Sequence, residues 1–441
     1  MAQAGVPEEQ WGRADRWSFW AFALGFLLEN YIFSLAPIAD GWVGDMPKSM
    51  TSLLLSWAPI WLIIGIMVAG PVADRIGRKN TFYLTMALYG VGGLGLIFLS
   101  HTYVWLLAFL ALLLFASGGE MNTIMIASHE IMPRQHRSKT IMLELNFINL
   151  GGLILAILAL VTRAYNSSVP FQKATVGVAL LVVLAVLLLA RLNTPESLRW
   201  LIRRGQQERA RQEALKYYGP DEAEVRLKAA QFRTDGQTSP TSSRLRVSMA
   251  VRWYVTLTTS FAGAAGFGLM TYVVGPYFFK NESALILLIA TLVGFVSGFF
   301  GFWADRLSRR MLLLVGYAGT FVVTGLIYLT EGSWAKDLSF FWVLLVILNL
   351  FVNVGYLTED TLKGEIWPTK RRGTYTALAR FISIGLYIAT IYLTQTYSLG
   401  HYMLFNLVVW AIGLSGAIVW MIKGIETGQG ISLEAASMEQ T

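Results

Sequence analysis

Two glutamates lie inside long apolar stretches of the chain. They are Glu29 in GFLLENY and Glu120 in SGGEMNT. An ionised side chain at the centre of a bilayer costs at least about 2.5 to 3.5 kcal/mol, so each acid needs a partner or a proton. At 1.5 Å per helical residue, both lie about 15 to 18 Å from the cytoplasmic ends of their helices. The spacing predicts proton binding, and the alternative is a structural tie to Asn30, Asn122 or a backbone carbonyl.

A second charged group, with both signs of charge, lies in the C-terminal half. Glu359, Asp360 and Lys363 fall within one apolar run, and Arg380 is six residues, roughly 9 Å, into the next. Arg380 cannot lose its proton, so it needs an acid, a carbonyl or an anionic ligand. Two interpretations are open, an ion pair with Asp360 or Glu359 and direct binding of a carboxylate. Glu144, about a turn into the fifth run, is assigned to the charge network of the adjacent loops.

Charged loop motifs occur twice in the chain. GPVADRIGRKN begins at Gly70, and GFWADRLSRRM begins 231 residues later at Gly301. EIMPRQHR and EIWPTKRR form a second pair, and each has an acid seven residues before an arginine. The shift between this second pair is 235 residues. Both pairs therefore indicate that the chain consists of two related halves.

The repeated loop charges are predicted to form ion pairs that close the cytoplasmic side of the molecule. An acid near the bilayer is kept ionised by a basic loop residue or by a helix N-terminus. The alternative is that these residues only anchor the loops on one side of the membrane. The residues assigned to this cytoplasmic gate are Asp74, Arg75, Arg78, Glu130, Arg137, Asp305, Arg306, Glu365 and Arg372.

The overall composition is that of a membrane protein. Hydrophobic residues make up 55% of the 441-residue chain and charged residues only 14%, against about a quarter in a soluble domain. Crossing the hydrocarbon core takes roughly 20 helical residues. Apolar runs of that order predict an all-α integral membrane protein with twelve transmembrane helices. The runs are Trp17–Ala39, Ser52–Val72, Thr81–Leu99, Tyr103–Ser128, Thr140–Val161, Thr175–Leu192, Trp253–Phe279, Ser283–Trp303, Met311–Leu329, Leu338–Leu362, Thr374–Tyr397 and Tyr402–Ile422.

Basic residues concentrate in alternate loops, which explains the net charge of +8 without nucleic acid. The positive-inside rule then predicts that both termini are cytoplasmic. The long polar segment after the sixth run divides the chain into an N-terminal six-helix bundle (1–192), a cytoplasmic bridge with short helices (193–250) and a C-terminal six-helix bundle (251–441). The four histidines lack metal-ligand spacing and no catalytic nucleophile stands out, so we expect no enzyme activity, cofactor or metal.

On these motifs the chain resembles transporters of the major facilitator superfamily. GPVADRIGRKN is similar to the family's signature loop, and the second copy departs from it at Ser308, where the family has glycine. PESLRWLIRRG, after the sixth run, resembles the PESPRWL string of sugar porters, with Leu198 in place of proline. The amide-rich string that sugar porters carry in the seventh helix is missing from TSFAGAAGFGLMTYVVGPYFF.

Other strings are similar to the metabolite, aromatic-acid and organic-ion symporters of the same superfamily. GFGLMTYVVGPYF has their aromatic-glycine-proline pattern, and GFLLENY has Glu29 where they have aspartate. SGGEMNT has Asn122 where proline is usual, and ALARFISIG puts Arg380 at the arginine of their eleventh helix. In the resembling fold the first and fourth helices line a central cavity. Glu29 and Glu120 could face each other there, with one of them protonated.

The resemblance implies the major facilitator fold, in which two six-helix bundles expose a central site alternately to each side. We expect a monomer in the plasma membrane that moves a small organic anion or other metabolite by proton-coupled symport, with Glu29 or Glu120 carrying the proton. Its expected partners are the small-molecule substrate, protons and the lipid bilayer. The alternatives are proton-driven efflux of amphipathic compounds, sugar uniport or symport, and a non-transporting membrane receptor. The residues assigned to substrate binding are Arg380, Asn30, Tyr31, Asn122, Tyr272, Asn353, Glu359 and Asp360.

Overall fold

The computed structural model describes residues 9–44, 46–133, 136–235, 247–367 and 372–427. Twelve helices in these ranges are long and apolar enough to cross a membrane, which confirms the predicted all-α architecture and the number of transmembrane helices. We number them spans 1 to 12 in chain order. They are Arg13–Trp42, Lys48–Ile76, Arg78–Phe98, Tyr103–Ile131, Lys139–Tyr165, Val169–Leu192, Met249–Phe278, Lys280–Trp303, Arg309–Leu329, Ser339–Lys363, Thr374–Thr394 and Leu399–Lys423.

Several spans extend beyond the apolar runs that predict them. Span 2 begins four residues before and ends four residues after its predicted run. A helix satisfies its own backbone in lipid, and its first turns also need partners where it leaves the lipid. Among the described residues, four spans meet that need with a hydroxyl side chain that accepts a hydrogen bond from the backbone N–H three residues later. These capping residues are Thr102, Ser248, Ser308 and Ser398.

Spans 1 and 7 are helical but not uniform. Span 1 consists of an α-helix over Arg13–Phe33, a short helix over Leu35–Ala39 and a 3₁₀ turn at Asp40–Trp42. Span 7 runs as an α-helix over Met249–Gly268 and continues through a π-helical turn at Leu269–Val273. Single π-turns inside helices occur frequently at functional sites.

The chain divides into two compact units. The first contains Met1–Ile32, Trp61–Gly151 and Lys173–Thr241, and the second contains Phe33–Ile60, Gly152–Gln172 and Ser242–Thr441. The helices of the predicted bridge lie in the first unit. The domain boundaries predicted at 192 and 250 stay a prediction.

Bridge helices extend the first unit beyond its spans. They cover Leu198–Arg203 and Gln207–Asp235, and the second one is broken at Gly219, which has a φ of 80°. Arg226 joins this helix to the start of span 1, since its guanidinium donates to both carboxylate oxygens of Asp15 at 3.1 and 2.8 Å. Both side chains are buried, so this is an interior ion pair.

Glycines let the helices of the first unit approach closely beside the buried acids. At Gly151 in span 5, a Cβ would lie 3.0 Å from the backbone nitrogen of Tyr31 in span 1. At Gly118 in span 4, a Cβ would lie 3.0 Å from the backbone nitrogen of Ile66 in span 2. Small residues are a common device for tight helix packing in membranes. These glycines therefore let the helix backbones next to Glu29 and Glu120 pack closely against their neighbours.

In the second unit, hydroxyl groups tie the first part of span 2 to spans 7 and 11. Ser52 Oγ lies 2.7 Å from Tyr277 Oη and donates to Gln395 Oε1 at 3.0 Å. One turn further along span 2, Ser56 Oγ lies 2.8 Å from Tyr392 Oη. Tyr277 also donates to the Ile391 carbonyl at 2.9 Å. We call these five side chains the hydroxyl cluster.

Candidate functional site

The buried carboxylate of Glu120 forms an ion pair with an arginine that the sequence did not single out. Arg191 Nη2 donates to Glu120 Oε1, and Thr85 Oγ1 donates to Glu120 Oε2. The ion pair is sealed from solvent, with exposed side-chain fractions of 1% for Arg191 and 0% for Glu120. The acid in span 4 is therefore neutralised by a cation in span 6. The structural alternative that the sequence offered was a tie to Asn122 or to a backbone carbonyl.

Two aromatic rings and one glycine shape the surroundings of Arg191. Its guanidinium carbon lies 3.4 Å from the ring centroid of Phe82 and 5.3 Å from that of Phe22, which are cation–π contacts. Gly25 in span 1 faces the pair, and a Cβ there would lie 3.0 Å from Glu120 Oε1 and 3.1 Å from Arg191 Nη2. Arg191 lies one residue from the end of span 6, so hydropathy groups it with the basic loops. Its side chain leans toward the helix N-terminus, which carries the charge inward.

The other predicted residues of span 1 are buried in the same unit. Glu29 is 7% exposed, and its backbone carbonyl accepts a hydrogen bond from Ser117 at 3.5 Å. Asn30 Nδ2 donates to the Ile148 carbonyl at 3.0 Å, and Tyr31 Oη donates to the Val176 carbonyl at 2.8 Å. These two side chains join span 1 to spans 5 and 6. Their predicted substrate contacts, and the proton-coupling role of Glu29, stay predictions.

Asn122 lies half-buried in span 4 and faces span 2. A Cβ built on Gly70 would lie 3.6 Å from its Nδ2 atom. The first residue of the repeated loop motif therefore lies beside a predicted substrate residue. The substrate role of Asn122 stays a prediction.

Spans 10 and 11 bring the four predicted charges of the second unit together. Arg380 Nη2 donates to both carboxylate oxygens of Asp360, at 2.7 and 2.9 Å. Lys363 Nζ lies 3.2 Å from Asp360 Oδ1 and 2.9 Å from Glu359 Oε1, and Ser260 of span 7 also donates to Glu359 Oε1. Two acids and two bases give a neutral group. This is the ion-pair arrangement that the sequence left open for Arg380.

Tyr272 and Asn353, which were predicted to bind substrate, lie in the second unit. Their substrate contacts stay predictions. Tyr272 belongs to the π-turn of span 7, with its ring centroid 5.1 Å from that of Phe33 and 5.5 Å from that of Phe267. Asn353 Nδ2 donates to the Gly294 carbonyl at 2.9 Å and to Ser297 Oγ at 2.8 Å. Tyr272 thus belongs to an aromatic cluster, and Asn353 joins span 10 to span 8.

Arg78 is the centre of the loop charges in the first unit. Its guanidinium donates to Glu130 at 3.0 and 3.2 Å, to Asp74 at 3.0 Å and to the Ala73 carbonyl at 2.9 Å. The side chains of Arg78 and Glu130 are only 5% and 8% exposed, whereas 69% of the Asp74 side chain is exposed. The Arg78–Glu130 pair is therefore the part of this network that is shielded from water.

The remaining residues of the predicted gate contribute less to the described structure. The side chains of Arg75 and Arg306 are exposed. The carbonyl of Arg75 accepts a hydrogen bond from Arg204 at 3.0 Å. Four side chains lie outside the described part of the structure, those of Arg137, Asp305, Glu365 and Arg372.

Two acids that the sequence did not assign accept hydrogen bonds at the starts of spans 3 and 9. Glu196 accepts hydrogen bonds from the backbone N–H groups of Arg78 and Lys79, both at 3.1 Å. Glu426 accepts from the Arg309 N–H at 2.8 Å and from the Ser308 hydroxyl. Burial raises the pKa of the Glu196 carboxyl, and the N–H groups that it accepts from oppose this rise. The signal was available, because Glu426 follows Glu196 by 230 residues, close to the shift of the repeated loops.

Comparison with known proteins gives one family. A family model described as Major Facilitator Superfamily matches residues 17–390. The glucose transporter GlcP of Staphylococcus epidermidis is 24% identical over 425 residues, which cover 90% of each chain. The niacin transporter NiaP of Acinetobacter baylyi is 24% identical over 438 residues, which cover 95% of this chain and 92% of that one.

Solved structures give the same fold. The inward-open xylose transporter XylE from E. coli matches with a TM-score of 0.74 at 16% identity, over 95% of this chain and 98% of that one. The proton:xylose symporter XylE bound to 6-bromo-6-deoxy-D-glucose matches with a TM-score of 0.73 at 18% identity, over the same shares.

Proposed function

The chain belongs to the Major Facilitator Superfamily, and we propose that it is a proton-coupled symporter that moves a small organic anion by alternating access. Its family and relatives make it a membrane transporter of the sugar or metabolite type and not an enzyme. The anion, the proton and the direction of transport are the parts that we propose.

The observation that supports the proposal of an anionic substrate is the geometry of Arg380. Both of its hydrogen bonds to Asp360 come from Nη2, so Nε and Nη1 are not used by that pair. The Arg380 side chain keeps 13% of its surface exposed, whereas Asp360 keeps 3%. A guanidinium presents five N–H donors in a planar fork and can hold a second carboxylate along another edge. A carboxylate substrate would bind at this edge.

Buried acids in spans 1 and 4 support the proposed coupling to protons. Glu29 and Glu120 both lie in helices of the first unit with less than a tenth of their surface exposed. A carboxyl group in a dry environment takes up a proton when its counter-charge is lost or shared. A symporter needs such a group, because proton binding must change the stability of one of its states.

A carboxylate substrate is consistent with one relative, and a sugar is the second candidate. Niacin, the compound in the name of the Acinetobacter relative, is a pyridine carboxylate. Glucose and xylose are the compounds in the names of the other relatives. A sugar would use neutral amide and hydroxyl donors in place of the free edge of Arg380.

Uptake into proteoliposomes tests the proposal directly. The purified chain is reconstituted, and labelled nicotinate, glucose and xylose are offered with and without an acidic exterior. We expect nicotinate to accumulate only with the pH gradient, and a protonophore to abolish the accumulation. Accumulation of glucose or xylose but not nicotinate would establish the sugar alternative. Equilibration without a response to pH would establish uniport.

Variants of the two acids test the coupling. Glu29→Gln and Glu120→Gln each remove one proton site, and the exposed Glu224→Gln, on the bridge helix, serves as a control acid. We expect at least one of the first two to lose pH-driven accumulation while the control keeps it. If both still accumulate nicotinate as the unmodified chain does, neither acid carries the coupled proton.

The proposal also covers orientation and location. We propose that the basic loops and both termini face the cytoplasm, that the membrane is the plasma membrane, and that the chain works as a monomer. The basic loops after spans 2, 4, 6, 8 and 10 support this orientation. Efflux and a receptor role would appear in the same vesicles, efflux as loss of loaded solute on acidification and a receptor as binding without transport.

A further inference from the structure

A second fully buried acid interacts electrostatically with Arg191 and has no ion pair of its own among the described residues. Glu144 in span 5 is 0% exposed. Its Oε2 atom accepts a hydrogen bond from Ser128 of span 4 at 2.7 Å. Its Oε1 atom has no hydrogen-bond partner among the described residues. In either protonation state Oε1 lacks a partner, but an ionised Glu144 would in addition bury a charge without an ion pair among the described residues.

Arg191 is oriented toward one acid and remains within the electrostatic reach of the other. It donates to Glu120 through Nη2, while its Nε and Nη1 atoms have no partner among the described residues. The guanidinium also interacts electrostatically with Glu144. Arginine keeps its proton in proteins, so this cation is a constant of the site.

The charges of the cluster do not balance if both acids are ionised. Arg191 contributes one positive charge, and Glu120 and Glu144 would contribute two negative charges in a region with at most 1% exposure. Among the described residues, Tyr89 of span 3 and Glu29 of span 1 also interact with this cluster, and neither can supply a positive charge. A proton is the remaining means of neutralising the second acid.

We propose that Glu120, Glu144 and Arg191 form a proton-binding site in which one cation serves two carboxyl groups, and the proton resides on the acid that Arg191 does not contact. In this structure Arg191 contacts Glu120, so the proton is on Glu144. A change of the Arg191 rotamer toward Glu144 would move the ion pair to span 5, release the proton from Glu144 and make Glu120 the protonated acid. The inference rests on the proposed proton-coupled transport and names the site of its proton.

Infrared absorption of protonated carboxyl groups tests this assignment without a substrate. The full chain is reconstituted in phosphatidylcholine vesicles, and the carbonyl band of buried protonated acids is measured from pH 5 to 10. We expect Glu144→Gln to remove part of the band present at pH 7. The exposed Glu224→Gln should leave the band unchanged, because its side chain is 77% exposed.

Changes at the other two residues test the sharing of one cation. Arg191→Gln leaves both acids without a counter-charge, so the band at pH 7 should grow by about the area that Glu144→Gln removes, and Arg191→Lys should keep the original area. Glu120→Gln frees Arg191 to pair with Glu144, so the contribution of Glu144 should disappear. If Arg191→Gln does not fold, the Glu120→Gln measurement decides alone.

The proposal is overturned if Glu144→Gln leaves the band area unchanged, or if the contribution of Glu144 persists in Glu120→Gln. Nicotinate, glucose and xylose uptake in the same vesicles separates this failure from that of the proposed function. A band that behaves as expected, with no pH-driven uptake by the unmodified chain, keeps the proton site and removes symport. Equal pH-driven uptake by the unmodified chain and Glu144→Gln keeps symport and removes Glu144 from its coupling.

Discussion

The carboxylate of Glu196 should be one of the most important single groups for the stability of the first unit. It is 8% exposed and accepts from two consecutive backbone N–H groups at the start of span 3. Loss of a capping side chain costs about 0.5 to 2 kcal/mol, and a negative charge at a helix N-terminus adds about 0.3 to 1 kcal/mol. Glu196→Ala should therefore cost about 1 to 3 kcal/mol.

Thermal unfolding of the purified protein in detergent measures this loss. For a domain of 150 to 250 residues, 1 kcal/mol lowers Tm by about 2 to 4 °C, so Glu196→Ala should lower it by about 2 to 12 °C. Glu196→Gln keeps one acceptor oxygen and loses the charge, and it should fall between. Glu426→Ala, at the start of span 9, should give a loss of similar size in the second unit, since Glu426 accepts from one N–H and one hydroxyl.

The control for this series is Glu224→Ala, whose salt bridge to Lys228 is exposed on both sides and should contribute little. If Glu196→Ala unfolds at the same temperature as Glu224→Ala, the carboxylate does not hold the start of span 3. The capping account of the loop motif would then be wrong.

Three further changes probe other parts of the molecule. Arg380→Gln should abolish uptake of an anionic substrate, and Arg380→Gln with Asp360→Asn should stay inactive; recovery in the double variant would reduce Arg380 to a partner of Asp360. Gly25→Ala should displace the Glu120–Arg191 pair and abolish pH-driven uptake, whereas Gly41→Ala, where a Cβ meets nothing within 4 Å, should not. Tyr277→Phe removes the hydroxyl shared by Ser52 and Ile391, so a cysteine introduced at Ser56 should react roughly five- to tenfold faster with a thiol reagent, and an unchanged rate would show that this hydroxyl does not hold span 2 in place; the native chain has no cysteine to interfere.

The fold was accessible from the sequence because its signals are local. A helix that crosses lipid must be apolar along its length, so a run such as Thr81–Leu99 predicts span 3 without any knowledge of its neighbours. The neutral group around Arg380 was also within reach, because Glu359, Asp360 and Lys363 occupy one helix within a single turn. Charged residues that lie close together on the same helix, or on that helix and the next one, can be paired from their spacing alone.

Pairing across distant spans could not be obtained in that way. Glu120 and Arg191 are 71 residues apart, and which faces of spans 4 and 6 meet depends on the rotation of each helix. Hydropathy does not fix that rotation, because lipid-facing and buried faces in a membrane protein are both apolar. The sequence therefore identified Glu120 as a buried acid that requires a partner. As its structural partner it offered Asn122 or a carbonyl and not Arg191.

The internal repeat shows how part of this gap could be closed. In the first unit Gly77 has a φ of 95° and lies against Glu196, which explains why glycine occupies the turn of the motif. In the second unit Ser308 has a φ of −71° and caps span 9 with its own hydroxyl, yet Glu426 still accepts from the first N–H group of the helix. The turn residue differs between the halves, whereas in both an acid follows the first residue of the helix, by 118 residues after Arg78 and by 117 after Arg309. An acid that recurs close to the repeat shift is therefore better evidence for a structural partner of the loop than the glycine of the motif. Comparing the thermal stability of Glu426→Ala with that of Ser308→Gly tests this, since the loss of the acid should be the larger of the two.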